Sequence, residues 1–394
     1  MKAAVLLFAT LASAAAMSMP QIVTEGDGAL HAYVLQKSGD VCVRYTLAGE
    51  PAVVTATIRL NGEVVPASTF EEPIGELNCL VQPGSRRGWL KARGDWAGRT
   101  AAPEALNVEL RAWSTNTPPD CMSVDLGSGD LRYYASTNDL PYGVDSDVWR
   151  ASKCLLRLVP AAGETFRMGS PTNETGRTPV REVAHNVTLT KDFYLGVFEV
   201  TIGQYTNVVS TWPVNAVKRD FDHPINQPVY NDIHGEGGFL TVLASRSGVS
   251  FGLPTDAQWE FACRAGSRAS YCNGTDTAAG LDAVGWYSGN TDYTSGSVTT
   301  QRVGTKEPNT FGVYDMHGNL YELCRDWYAE GASYSDGSYV IDPTGAATGT
   351  ARVARGGSFG AAVGSCRSAF RWGVDPAGGH SHVGFRISCP AVAK

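Results

Sequence analysis

The sequence predicts an α+β chain in two parts, a small antiparallel β-sandwich followed by a larger and more irregular α+β domain. Three observations lead there. Short runs that alternate apolar and polar residues fill the stretch from Ile22 to Asp125, the period of half-buried strands. After Cys154, two short helix signatures stand among many strand-like runs. The 394 residues include 44 glycines and are 43% apolar, enough for a sizeable core joined by much irregular chain.

Taken in order, the chain opens on Lys2 and the apolar run Ala3–Ala16, which ends in small residues. This is the pattern of a cleaved signal peptide over residues 1–16. The run is shorter than the ~20 residues of a spanning helix, and no other stretch could span, so no membrane span is expected. The expected location is exported: periplasmic, cell-surface or secreted. An exported chain would oxidise several of its nine cysteines, and the odd number leaves at least one free or paired elsewhere. None forms a CxxC pair, which disfavours a zinc ribbon or thioredoxin-type site.

Residues 20–125 read as the sandwich, immunoglobulin-like by fold analogy alone. Strands are expected at His31–Leu35, Val41–Leu47, Val53–Leu60 and Leu106–Trp113, and Asn61-Gly62 marks a two-residue hairpin. No catalytic constellation is visible there, which points to an accessory role. Pro118-Pro119 and the Gly/Ser/Asp-rich stretch 126–152 read as a linker.

Residues 153–390 form the second domain. Leu155–Val159, Val187–Thr190 and Phe193–Val200 are strand-like. Thr201 suits the N-cap of a helix over 202–209. Thr255 and Gln258 suit a capping box at the start of a second helix ending near Arg264, with Gly266 as its stop. The formal charge of −7 argues against non-specific nucleic-acid binding, which needs a basic footprint.

Several segments of this domain resemble the formylglycine-generating (sulfatase-modifying factor) enzyme family in order and spacing. They are Phe166-Arg-Met-Gly-Ser170, Phe198-Glu-Val-Thr201, Leu253–Ala262, Pro308–Gly312, Tyr314–Asn319, Glu322 with Cys324 and Asp326-Trp327, Arg355-Gly-Gly-Ser358 and Gly384-Phe-Arg386. The resemblance implies the family's irregular α+β fold, related to C-type lectins. It also implies oxidoreductase chemistry, the copper-dependent conversion of a sulfatase cysteine to formylglycine. Copper(I) is soft and held by thiolates. The family's second cysteine corresponds to Cys366 and its active-site serine to Ser358, but Ala361 stands where the first cysteine belongs. Whether the chain is an enzyme is therefore open, and copper binding is not expected. Cys366 itself is read as a disulfide partner, for example of Cys324, as a buried thiol, or as a reactive thiol.

The resemblance further implies a structural calcium loop with ligands at Asp315, Gly318, Leu320 and Glu322. Two carboxylates and two carbonyls suit that hard cation, and the other reading of Glu322 is a cap or a core pair. The rival function is a C-type-lectin-like binding or display module. It would recognise a protein or glycan ligand through the loop surface Phe359–Val383, with Arg367, Phe370, Arg371, Trp372, His380 and His382 as contact residues. For Phe370 and Trp372 the other reading is core. His380-Ser-His382 is read either as a metal pair on a strand or as surface polar residues.

Overall fold

In the computed structural model, residues 19–23, 30–35, 38–101, 105–209, 220–292, 300–329 and 337–391 are described. The expected signal segment lies outside them. The first third of the chain is a β-sandwich. One sheet pairs Gly84–Leu90 with Val41–Ala48 along seven residues, and carries His31–Val34, Gln21–Ile22 and Ile74–Gly75 at its edges. The other is centred on Ala52–Leu60, which pairs with Leu106–Ser114, Cys79–Val81 and Glu63–Val64. Inward residues of both sheets, Val41, Val43, Tyr45 and Leu47 from one and Val54, Ile58 and Val108 from the other, share one apolar cluster. The Asn61-Gly62 hairpin forms as expected. Both residues have positive φ, 51° and 86°, which only such a pair tolerates in a two-residue loop.

The expected boundary needs correction. Cys121–Asp125 leaves the sandwich and pairs with Leu131–Tyr134 and Lys153–Val159. It thereby joins a five-stranded sheet completed by Phe193–Gly196 and Ser388–Pro390. The stretch 126–152, expected as a linker, contains a strand and the short helix Val148–Ala151. Its polar composition hides widely spaced anchors, the buried Leu126, Leu140 and Trp149. Where the two parts meet, the Tyr133 N–H donates to the Asn78 carbonyl, and Lys153 bridges Glu72 and Asp125.

The remaining sheets are small. Thr165–Met168, His185–Thr188 and Tyr339–Ile341 form one. Trp372–Val374, Arg352–Arg355, Tyr321–Trp327 and Val383–Gly384 form the other, the last strand running parallel to its neighbour. Helices Ile202–Val208 and Asp256–Arg264 begin at Thr201 and Thr255, each with a complete capping box. Three further helices, Tyr230–His234, Phe239–Ser247 and Ala278–Val284, were not foreseen. The α+β class holds, mostly sheet with short helices.

Candidate functional site

The site is organised around Arg355, the last residue of its strand. Its guanidinium is fully buried. It donates to Asp256 and Glu260 on one helix, both at 2.6 Å, and to the carbonyls of Ser368 and Phe370 at 2.9 and 3.0 Å. One side chain thus ties the end of the strand to helix Asp256–Arg264 and to the chain returning after Cys366. The next residues must turn sharply. Gly357 has φ 82°, and a Cβ there would lie 2.5 Å from the Cys366 sulfur. Only glycine lets the thiol press on this turn.

Cys366 ends the 3-10 turn Val363–Cys366. Burial pushes its thiol up to about 12, against the opposing pull of the Ser358 N–H, so it is a neutral thiol at physiological pH. Tyr271, Tyr287 and Tyr321 all lie close enough to sense its charge. Behind it stands His317, also buried. His317 Nε2 accepts from the Cys272 N–H at 3.0 Å, so its proton sits on Nδ1, which donates to the Cys366 carbonyl at 2.9 Å. Ala361 is buried too. Its N–H donates to the Ser358 carbonyl and its own carbonyl accepts from the Ser288 N–H, which places a methyl group where a second thiol was sought.

Ser358 Oγ is 3.0 Å from His382 Nδ1. Burial, then the neighbouring His380, holds His382 below the usual imidazole range, and its ring stacks on Phe359 at 4.6 Å. Tyr321 links Phe370 and Trp372, and Trp372 meets His380 edge-on.

The expected ligand-binding set is only partly brought together. Phe370 and Trp372 are half-buried and packed against the main core cluster. Arg367 is not a surface cation. Its guanidinium pairs with Glu182 at 2.7 and 2.8 Å and with Glu174 at 2.5 Å. Arg371 pairs with Asp256 at 2.6 Å. Arg367 is a strut of the interior, because a buried guanidinium must find carboxylates, and Arg371 is half-buried. His380 and His382 are not an alternating pair on a strand, since the strand begins at Val383.

The expected metal chemistry meets the same test. Copper(I) needs two soft thiolates. At the two motif positions the chain offers one thiol, held protonated, and the Ala361 methyl, so those two positions do not fit copper. Cys324 does not substitute, because it packs in a different apolar cluster beside Trp259 and Met316. None of the nine cysteines is in a disulfide, so the expected pairings, Cys366 with Cys324 among them, are not formed. For calcium, Glu322 is already spent. Its Oε1 accepts from Arg386 at 2.5 Å, and its Oε2 from Arg386 and Trp259 at 2.6 Å. Asp315 keeps one buried oxygen without a partner and its carboxyl is pushed up to about 6, chiefly by burial. The Leu320 N–H turns to Glu199. Glu322 therefore takes the core-pair role, with the Asp315 carboxyl beside it.

Sequence reading passed over His317, Tyr271, Tyr287 and Glu199. His317 lay inside a motif singled out for its neighbours, and the tyrosines carry no local signal. Residues 157–389, more than half the chain, match the model described as Sulfatase-modifying factor enzyme 1-like domain. The chain is 33% identical over 177 residues to a formylglycine-generating enzyme of Thermomonospora curvata, covering 42% of this chain and 55% of that enzyme. It spans about half the length of the formylglycine-generating enzymes of Thermomonospora curvata and Streptomyces coelicolor, 55% and 52%. Among solved structures, it is similar to Treponema denticola variable protein 1, with TM-score 0.51 and 24% identity, covering 63% of this chain and 98% of the other. That likeness shows the fold. PvdO from Pseudomonas aeruginosa gives TM-score 0.50 and 25% identity over 60% of this chain and 94% of that one.

Proposed function

The chain belongs to the sulfatase-modifying factor enzyme 1-like family, and from that membership we propose that it is an exported member without copper-dependent cysteine oxidase activity. The observation that carries the proposal is the pair Ala361 and Cys366. The family-like turn Arg355-Gly-Gly-Ser358 is followed by a methyl group at 361 and a buried thiol at 366, the two positions where the family has cysteines. Oxidation through two thiolates has no second sulfur to use. The lone thiol is kept protonated by burial, so it is also a poor nucleophile.

What the site retains is internal hydrogen bonding: the Tyr271 hydroxyl donates to the Val363 carbonyl, that of Tyr287 to Asp282, and Ser358 Oγ lies 3.0 Å from His382 Nδ1. Export rests on Lys2 and the Ala3–Ala16 run. It is tested by N-terminal sequencing of protein recovered outside the cytosol, which should begin near Met17. Among the described residues no helix is long and apolar enough to cross a membrane.

The oxidase proposal is tested by copper(I) titration in competition with a chelating dye. The chain should take no copper from the dye, and Ala361→Cys should raise its affinity. Tight binding by the unaltered chain that Cys366→Ser abolishes would overturn the proposal.

A further inference from the structure

The outer face of the first sandwich sheet carries an arrangement that the domain's accessory role does not explain. The register His31↔Arg44↔Arg87 places three basic side chains side by side on adjacent strands. All three are exposed. Like charges directly opposite one another destabilise a strand pair, and among the described residues neither Arg44 nor Arg87 has a carboxylate partner. Glu76 is the acid beside this row, and its carboxylate already accepts from Arg86 and from the Arg87 backbone N–H. The protein as a whole is acidic, at −7, so the row is a local reversal of sign.

One pleat along the strands, the register Tyr33↔Cys42↔Trp89 forms a second row on the same face. Its two rings lie two strands apart, about 10 Å. The Arg87 guanidinium sits 4.6 Å from the Trp89 ring and that of Arg44 5.9 Å from the Tyr33 ring. Each cation thus lies over one face of its ring. His31, Arg44, Arg87 and Trp89 line one open groove together with Glu76 and Arg86.

We propose that this sheet face binds a sulfated polysaccharide, with sulfate esters on the His31–Arg44–Arg87 row and sugar-ring faces on Tyr33 and Trp89. A carboxylate is satisfied by one guanidinium fork. Arg44 and Arg87 in register suit an anion with three terminal oxygens, which a sulfate ester provides and which stays charged at all working pH values. The flat platforms favour a sugar over an extended acidic peptide, and their separation suits a ligand that repeats across the strands. Ligand binding would also relieve the repulsion between Arg44 and Arg87.

The test uses the full chain with dextran sulfate, measured by calorimetry at fixed salt. Arg44→Gln and Arg87→Gln should each weaken binding about tenfold. Because they remove like-charge contact, they should leave the melting temperature equal or higher. Trp89→Ala and Tyr33→Ala should weaken binding with the charges intact, and Tyr33, at the exposed edge, guards against a folding defect at Trp89. Unsulfated dextran should not bind. Unchanged affinity in the arginine variants would overturn the proposal. So would loss confined to the arginines with both aromatic variants neutral, which would mean attraction to any polyanion. Equal or tighter binding of polyglutamate or of an oligothymidine strand would overturn the glycan assignment.

Discussion

Lowering the pH from 7 to 4.5 should cost this fold about 2.5 kcal/mol through one side chain, His317. The imidazole is fully enclosed, and burial lowers it from 6.5 to about 4. The sign follows from that direction. A histidine depressed in the folded state contributes stability that is present above its unfolded value of 6.5 and is lost as the pH falls through about 4. Between pH 7 and 4.5 the unfolded chain binds this proton and the folded chain largely does not. Protonation would also break the acceptor at Nε2 that holds the Cys272 N–H. The assay is urea unfolding followed by tryptophan fluorescence at both pH values, with the stability extrapolated to water. Other groups titrate in this window, so the informative quantity is the difference from His317→Asn. That variant keeps a donor toward the Cys366 carbonyl but has no imidazole. Its loss over the same interval should be smaller by about 2.5 kcal/mol. An identical loss in both proteins would refute the reasoning.

Three other outcomes follow from the same interior. Arg386→Leu leaves the fully buried Glu322 without its cation and should cost about 3–5 kcal/mol by denaturant unfolding; a cost under 1 kcal/mol would show that water reaches this pair. Gly357→Ala forces a Cβ to within 2.5 Å of the Cys366 sulfur and should cost about 1–3 kcal/mol, partly recovered in the double variant with Cys366→Ala. Cys366 should resist iodoacetamide in the native protein at pH 8 and react after unfolding, as read by peptide mass; prompt native labelling would contradict a thiol pushed up to about 12.

Local chemistry in the sequence was a good guide to local structure. Asn61-Gly62 demanded a hairpin, and Thr201 and Thr255 announced helices by accepting from the backbone N–H three residues on. The ordered motifs from Phe166 to Arg386 located the second domain and its Gly-Gly-Ser turn. What escaped was set by distance along the chain. Arg367 looks like a surface cation until Glu174 and Glu182 arrive from 193 and 185 residues away. Glu322 looks like a metal ligand until Arg386 folds onto it from 64 residues further on. The segment 126–152 looks like a linker because its anchors, Leu126, Leu140 and Trp149, are too sparse to show a period. Charge and composition describe a residue's own preference, and a buried partner from a distant segment reverses its meaning.

The account's central claim is that one thiol at Cys366, with alanine at position 361, cannot carry the family's oxidation. Its most direct measurement is the mass of a sulfatase-derived cysteine peptide after incubation with the full chain, copper and oxygen. The account predicts an unchanged cysteine at every time point, with a formylglycine-generating enzyme converting the same peptide in parallel. Formylglycine above background from this chain, lost in Cys366→Ser, would contradict it.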